Sequence, residues 1–140
     1  MLDSRPIAEL IPIIETVLAS GGCFRLWPRG RSMRPLLREG RDSVLLSVPE
    51  EICRGDILLV RYGDRFLLHR AVRVEAEGIT LCGDALTEPE GPLPPSAVIA
   101  KVTAIFRGER LRRHAKLWHR PYLCLIALRR AAQRLWHKIF

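Results

Sequence analysis

A chain of 140 residues and 16.0 kDa holds one hydrophobic core and is too short for two. Hydrophobic residues at 48% and charged residues at 27% give the composition of a folded globular domain and exclude a disordered chain. The formal net charge of +8 is unevenly placed: residues 1–106 carry 13 Lys or Arg against 14 Asp or Glu, and residues 107–140 carry 10 against 1. A nearly neutral body therefore bears a cationic appendage suited to phosphate, anionic lipid or an acidic partner.

Taken in chain order, Ile7, Leu10, Ile11, Ile14, Val17 and Leu18 recur at three- and four-residue spacing, which predicts an amphipathic helix within residues 1–22. Asp3 or Ser4 can cap it, Pro6 suits its first turn, Gly21-Gly22 ends it, and Pro12 is expected to kink it. Residues 23–106 read as a β-domain. Short apolar or β-branched runs at Ser43–Val48, Asp56–Tyr62, Phe66–Val74, Ile79–Cys82 and Val98–Phe106 are separated by turn signals such as Arg54-Gly55-Asp56, Tyr62-Gly63-Asp64 and Glu77-Gly78. Five or six such strands predict a mainly β fold, a small antiparallel barrel-like domain. Thr87–Pro95 holds four prolines and is expected to be a surface loop outside the sheet. After Arg107 a basic helical tail is expected over 107–140, with Leu125, Leu128, Ala132, Leu135 and Ile139 on one face and Arg130, Arg134, His137 and Lys138 on the other. Such a helix can pack on the domain with a solvated cationic face, lie in a membrane interface or meet nucleic acid, the last being the least favoured.

No apolar run reaches the roughly 18 uncharged residues of a membrane span, since Glu9 and Glu15 interrupt one candidate and Arg120 and Arg129 bound the other. The N-terminus shows no secretory signal pattern, so the expected location is cytoplasmic, with peripheral attachment at the inner face of the membrane through the tail. Cys23, Cys53, Cys82 and Cys124 lie far apart with no paired spacing, which argues against a zinc site and a disulfide framework. They read as reduced, buried thiols, and no metal or cofactor is implied.

The segment Gly30-Arg31-Ser32-Met33-Arg34-Pro35-Leu36-Leu37 has no hydrophobic periodicity and is expected to lie outside the core. A serine on a tight turn can project its hydroxyl while its own amide faces the space where an oxyanion would form. Further on come Gly55-Asp56-Ile57-Leu58, then Leu68-His69-Arg70-Ala71-Val72, then Cys82-Gly83-Asp84-Ala85. These four ordered motifs resemble the S24/S26 serine peptidase superfamily, most closely the type I signal peptidases of the archaeal and endoplasmic-reticulum type. That family runs Gly-x-Ser-Met-x-Pro, Gly-Asp-Ile-Val, His-Arg-Val-Val and Lys-Gly-Asp-Asn, and the resemblance covers roughly residues 26–105.

The resemblance implies a mostly β peptidase domain with Ser32 as nucleophile and His69 as general base where bacterial relatives use lysine. A neutral imidazole near the hydroxyl can take its proton and return it to the leaving amine. Asp84 is the nearest candidate to orient the ring, and Glu90 is a possible supporting carboxylate where the family has a further aspartate. Gly30 and Ser32 form the oxyanion turn, with a second donor to come from another backbone amide. Arg70, next on the strand, should point to the opposite face. Cys82 fits a buried thiol, and His114, His119 and His137 fit surface positions in the tail. The function implied is a serine endopeptidase that removes a leader or signal-like segment from a dedicated peptide or protein substrate bound extended, with small side chains near the cut. Two alternatives stand beside it: a catalytically silent peptide-binding module of the same fold with a membrane- or partner-docking tail, and a self-cleaving repressor relative. The second fits poorly, because 23 residues are too few for a helix-turn-helix domain.

Overall fold

A computed structural model describes residues 5–114, 128 and 131–136. Its main body is an antiparallel sheet curled into a half-barrel, with one helix packed on it, so the chain is mainly β. Helix α1 spans Ile7–Ala19 and buries Leu10, Ile11, Ile14 and Leu18, the stripe that the spacing predicts. Pro6 is the residue before the first turn rather than within it, and Asp3 and Ser4 lie outside the described residues. Pro12 sits inside the helix, and the carbonyl it leaves without a donor belongs to Ala8. Both residues are exposed, so water can satisfy that carbonyl.

The strands are β1 (Phe24–Leu26), β2 (Asp42–Ser47), β3 (Ile57–Tyr62), β4 (Arg65–Glu75), β5 (Gly78–Cys82), β6 (Glu90–Leu93), β7 (Val98–Arg107) and β8 (Arg110–His114). They order β1-β2-β7-β3-β4-β5-β6, with β8 paired to β7. Strand β7, late in the chain, is thus inserted between β2 and β3. Strand β3 reads Ile-Leu-Leu-Val because both of its faces are covered: Ile57 and Leu59 join the core beneath α1, while Leu58 and Val60 join a second cluster with Ala71, Ile79 and Leu81. The long β4 pairs with β3 through Arg65–Arg70 and with β5 through Arg70–Glu75. A bulge between Ala71 and Arg73 bends it and helps curl the sheet.

Three sequence expectations are corrected. Residues Glu90–Leu93 are a strand, paired with β5 by Ile79↔Leu93 and Leu81↔Glu90. Pro92 is tolerated there because β6 is an edge strand with one side free of ladder bonds. Helix does not follow Arg107 directly: the chain first returns as β8, in register Arg107↔Arg110 and Phe106↔Leu111 against β7. Met33 and Leu37 belong to the core beneath α1, so the serine segment is anchored by apolar side chains that its irregular pattern hides. Beyond β8, residues 131–136 are helical, with Leu128, Leu135 and Trp136 all more than 60% exposed. The rest of the expected tail helix, with His119, Cys124, Arg130, His137 and Lys138, lies outside the described residues.

Candidate active site

Two Gly-Asp corners and one strand arginine assemble the site. At the first corner, Gly55 N and Asp56 O exchange hydrogen bonds with Ala71 O and N, both at 2.7 Å, which locks the entry to β3 against β4. The buried Asp56 carboxylate accepts from Cys53 N at 2.7 Å and meets Lys101 Nζ at 3.1 Å. At the second corner, Asp84 Oδ1 and Oδ2 accept from Arg70 Nε and Nη2 at 2.8 and 2.9 Å, a two-bond fork between fully buried groups. Arg70 Nη1 also donates to Gly55 O at 2.8 Å, so one guanidinium ties both corners together.

The second corner also carries the serine. Strand β5 leaves β4 after the Arg70↔Cys82 pair, and the loop that follows packs against the backbone of residue 32. Ala85 N donates to Ser32 O at 2.9 Å. A Cβ at Gly83 would stand 2.6 Å from that same carbonyl oxygen, which is why glycine is needed there. Gly30 has φ +88, a left-handed conformation that suits glycine, and its amide donates to Glu39 Oε2 at 3.1 Å. Gly30 is therefore a turn residue, with its N–H already committed. The Ser32 amide donates to no described residue.

His69 is the next residue along β4 beyond the point where β5 departs, and it faces away from Arg70 as strand alternation requires. Its Nδ1 lies 2.5 Å from Glu90 Oε1, and both side chains are nearly buried. The carboxylate bonded to the His69 ring is thus Glu90 and not Asp84, both of whose oxygens Arg70 takes. Glu90 opens β6 opposite Leu81 of β5, which in turn pairs with Ala71 of β4.

Ser32 and His69 line one cavity of about 230 Å³, with Pro28, Met33, Leu37 and Phe66 among its walls. With Nδ1 bound to Glu90, Nε2 is the ring nitrogen available to Ser32. Ser32 Oγ makes no hydrogen bond among the described residues, so the pair shares the cavity without a direct bond.

Of the thiols, Cys82 is buried, its Sγ 3.5 Å from the carbonyls of Gly83, Leu86 and Glu88. Cys23 and Cys53 are exposed, contrary to the expectation of burial, since each sits in a connection and not on a core face. Among the described residues no group of three His, Cys, Asp or Glu side chains is placed to hold a metal ion, and no helix is long and apolar enough to cross a membrane. Comparison with protein-family models, with curated proteins and with solved structures found no match.

Proposed function

We propose that the chain is a serine endopeptidase of the signal-peptidase-like type, cutting a leader or signal-like segment from a dedicated peptide or protein. The observation that carries this reading is that Ser32 and His69 line one cavity while Glu90 is bonded to the His69 ring. His69 Nε2 takes the Ser32 hydroxyl proton as Oγ bonds to the scissile carbonyl carbon, and the oxyanion forms against the Ser32 amide. Glu90 holds the ring and stabilises the imidazolium. Collapse of the tetrahedral intermediate breaks the C–N bond, the imidazolium returns its proton to the leaving amine, and an acyl-serine remains. Water, deprotonated by His69, then releases the acid and restores the hydroxyl. Asp84 acts at one remove, as a positioning residue that holds Arg70 and the corner against Ser32.

An extended substrate has a place to pair. Residues Arg65–His69 of β4 bond β3 on one side and face no strand on the other among the described residues, so a peptide added there would run past His69. We place the protein at the cytoplasmic face of the membrane, held peripherally by the tail, because Leu128, Leu135 and Trp136 are exposed beside cationic residues.

The test is fluorophosphonate labelling of the full chain, mapped by mass spectrometry, beside Ser32→Ala and His69→Ala. An adduct on Ser32 that both substitutions abolish is expected. A folded wild-type protein that gives no adduct and cleaves no peptide in a Ser32-dependent way overturns the reading. The unbonded Ser32 hydroxyl favours the competing one, a silent peptide-binding module, which saturable peptide binding without any adduct would establish.

A further inference from the structure

Thr80 and Cys82 alternate along β5 with Ile79 and Leu81, which join the second apolar cluster, so they face the other side of the sheet. On that side lies a cavity of about 300 Å³ that shares no lining residue with the Ser32–His69 cavity. Val72 and Arg73 of β4 and Thr80 and Cys82 of β5 form its floor, Thr87 and Pro89 reach it from the loop before β6, and Arg134 comes from the helical residues 131–136. None of these residues is acidic. The side chains of Thr80, Thr87 and Arg134 make no hydrogen bond or ion pair with any described residue. Arg73 has one ion pair, Nε to Glu75 Oε1 at 3.4 Å, between side chains 67% and 52% exposed, and pairs so open to water are weak. The Cys82 thiol is taken up by backbone carbonyls and serves as wall alone.

Two guanidinium groups on one cavity repel each other, and an anion between them turns that repulsion into attraction. A carboxylate, with two oxygens, is matched by a single guanidinium fork. A phosphate monoester presents three terminal oxygens and a charge of about −1.5 to −2 at pH 7, which suits two arginines and two hydroxyls together. The cavity is about ten times the roughly 30 Å³ that a water molecule takes up in the liquid, so a phosphate group fills only part of it. The remainder, against Val72 and Pro89, has room for a small organic portion, and pockets for small molecules begin at about this size. We propose that this cavity binds a phosphate monoester, carried by a small molecule or a lipid headgroup, between Arg73 and Thr80 of the sheet, Thr87 of the loop and Arg134 of the tail. The bound group joins the tail to the sheet. The site is independent of the peptidase reading, since neither Ser32 nor His69 takes part.

The test is calorimetric titration of the full chain with glycerol 3-phosphate, beside co-sedimentation with phosphatidylcholine vesicles that do or do not contain phosphatidate. Wild type is compared with Arg134→Gln, Thr80→Val and Arg54→Gln, each checked for a retained cooperative melt. Arg54 is an exposed arginine outside the cavity, so its loss removes the same charge elsewhere. Thr80→Val keeps the charge and removes only the hydroxyl, which separates this site from general attraction to a cationic chain. Saturable one-to-one binding is expected, weakened about tenfold or more by Arg134→Gln and severalfold by Thr80→Val, and within twofold of wild type in Arg54→Gln. Binding of the soluble ester with this dependence supports the site and identifies a free phosphate ester as a ligand. Binding confined to phosphatidate vesicles, with the same dependence on Arg134 and Thr80, supports it with a lipid headgroup as the carrier. Equal weakening by Arg54→Gln and Arg134→Gln, or binding untouched by Thr80→Val, overturns the proposal, and so does the absence of saturable binding to both the ester and the phosphatidate vesicles.

Discussion

Gly83→Ala is a single methyl group aimed at the backbone of Ser32, the proposed nucleophile. The built Cβ stands 2.6 Å from Ser32 O and 3.0 Å from Leu86 Cδ1. The leucine can rotate away, but the carbonyl is fixed by its neighbours, so reaching an ordinary contact of about 3.4 Å requires the two backbones to part by roughly 0.8 Å. That displacement stretches the 2.9 Å bond from Ala85 N to Ser32 O beyond hydrogen-bonding range. Gly83 does not have a left-handed φ, so the effect is steric alone. Overpacking of this kind costs on the order of 1–3 kcal/mol, which leaves the domain folded, whereas a misplacement near 1 Å costs on the order of 100-fold in rate. The assay is the second-order rate of fluorophosphonate acylation at Ser32, read beside the thermal midpoint. We expect about a 100-fold slower reaction with a cooperative melt retained. An alanine variant that is acylated within twofold of wild type would refute the claim that the Gly83 corner sets the position of Ser32.

Glu90→Gln keeps the shape beside His69 Nδ1 but removes the charge and permits the wrong tautomer, so acylation of Ser32 should fall on the order of 10²- to 10⁴-fold with little change in thermal midpoint. Arg70→Met leaves Asp84 buried and uncompensated, which should cost about 3–5 kcal/mol in urea unfolding, and the double variant Arg70→Met/Asp84→Leu should recover much of that loss. Asp84→Asn, tested alone, should slow acylation while His69 stays bonded to Glu90, as seen in the histidine ring NMR signals. Leu128→Asp with Leu135→Asp should abolish co-sedimentation with anionic liposomes, and equal binding by this variant would remove the case for surface attachment.

Much of the β-domain was legible because its strands carry local signals. The five principal runs coincide with β2, β3, β4, β5 and β7 to within a residue or two, since apolar alternation and Gly-Asp turns act over short distances. The α1 stripe was legible for the same reason. What escaped were features set by long-range packing. Strand β6 forms despite Pro92 because an edge needs few ladder bonds, and β8 forms because β7 offers a partner that no local pattern announces. At the site, Ser32 and His69 were singled out by their motifs, and both line one cavity. The choice between Asp84 and Glu90 as partner of His69 was invisible, because it depends on Arg70 having claimed Asp84 from the opposite face of the strand.

The position of β7 bears on when the proposed Ser32–His69 site can assemble. The serine turn lies between β1 and β2, the histidine lies on β4, and in the sheet those two halves meet only through β7, whose residues 98–107 are synthesised after both. A nascent chain that has emerged only as far as residue 97 holds Ser32, His69 and Glu90 but lacks the strand that joins β2 to β3. Pairing β2 with β7 closes a long stretch of chain, and long-range pairings of this kind carry an entropic cost that local hairpins such as β3–β4 do not. The proposed Ser32–His69 site thus depends for its assembly on a strand that is made last of those around it.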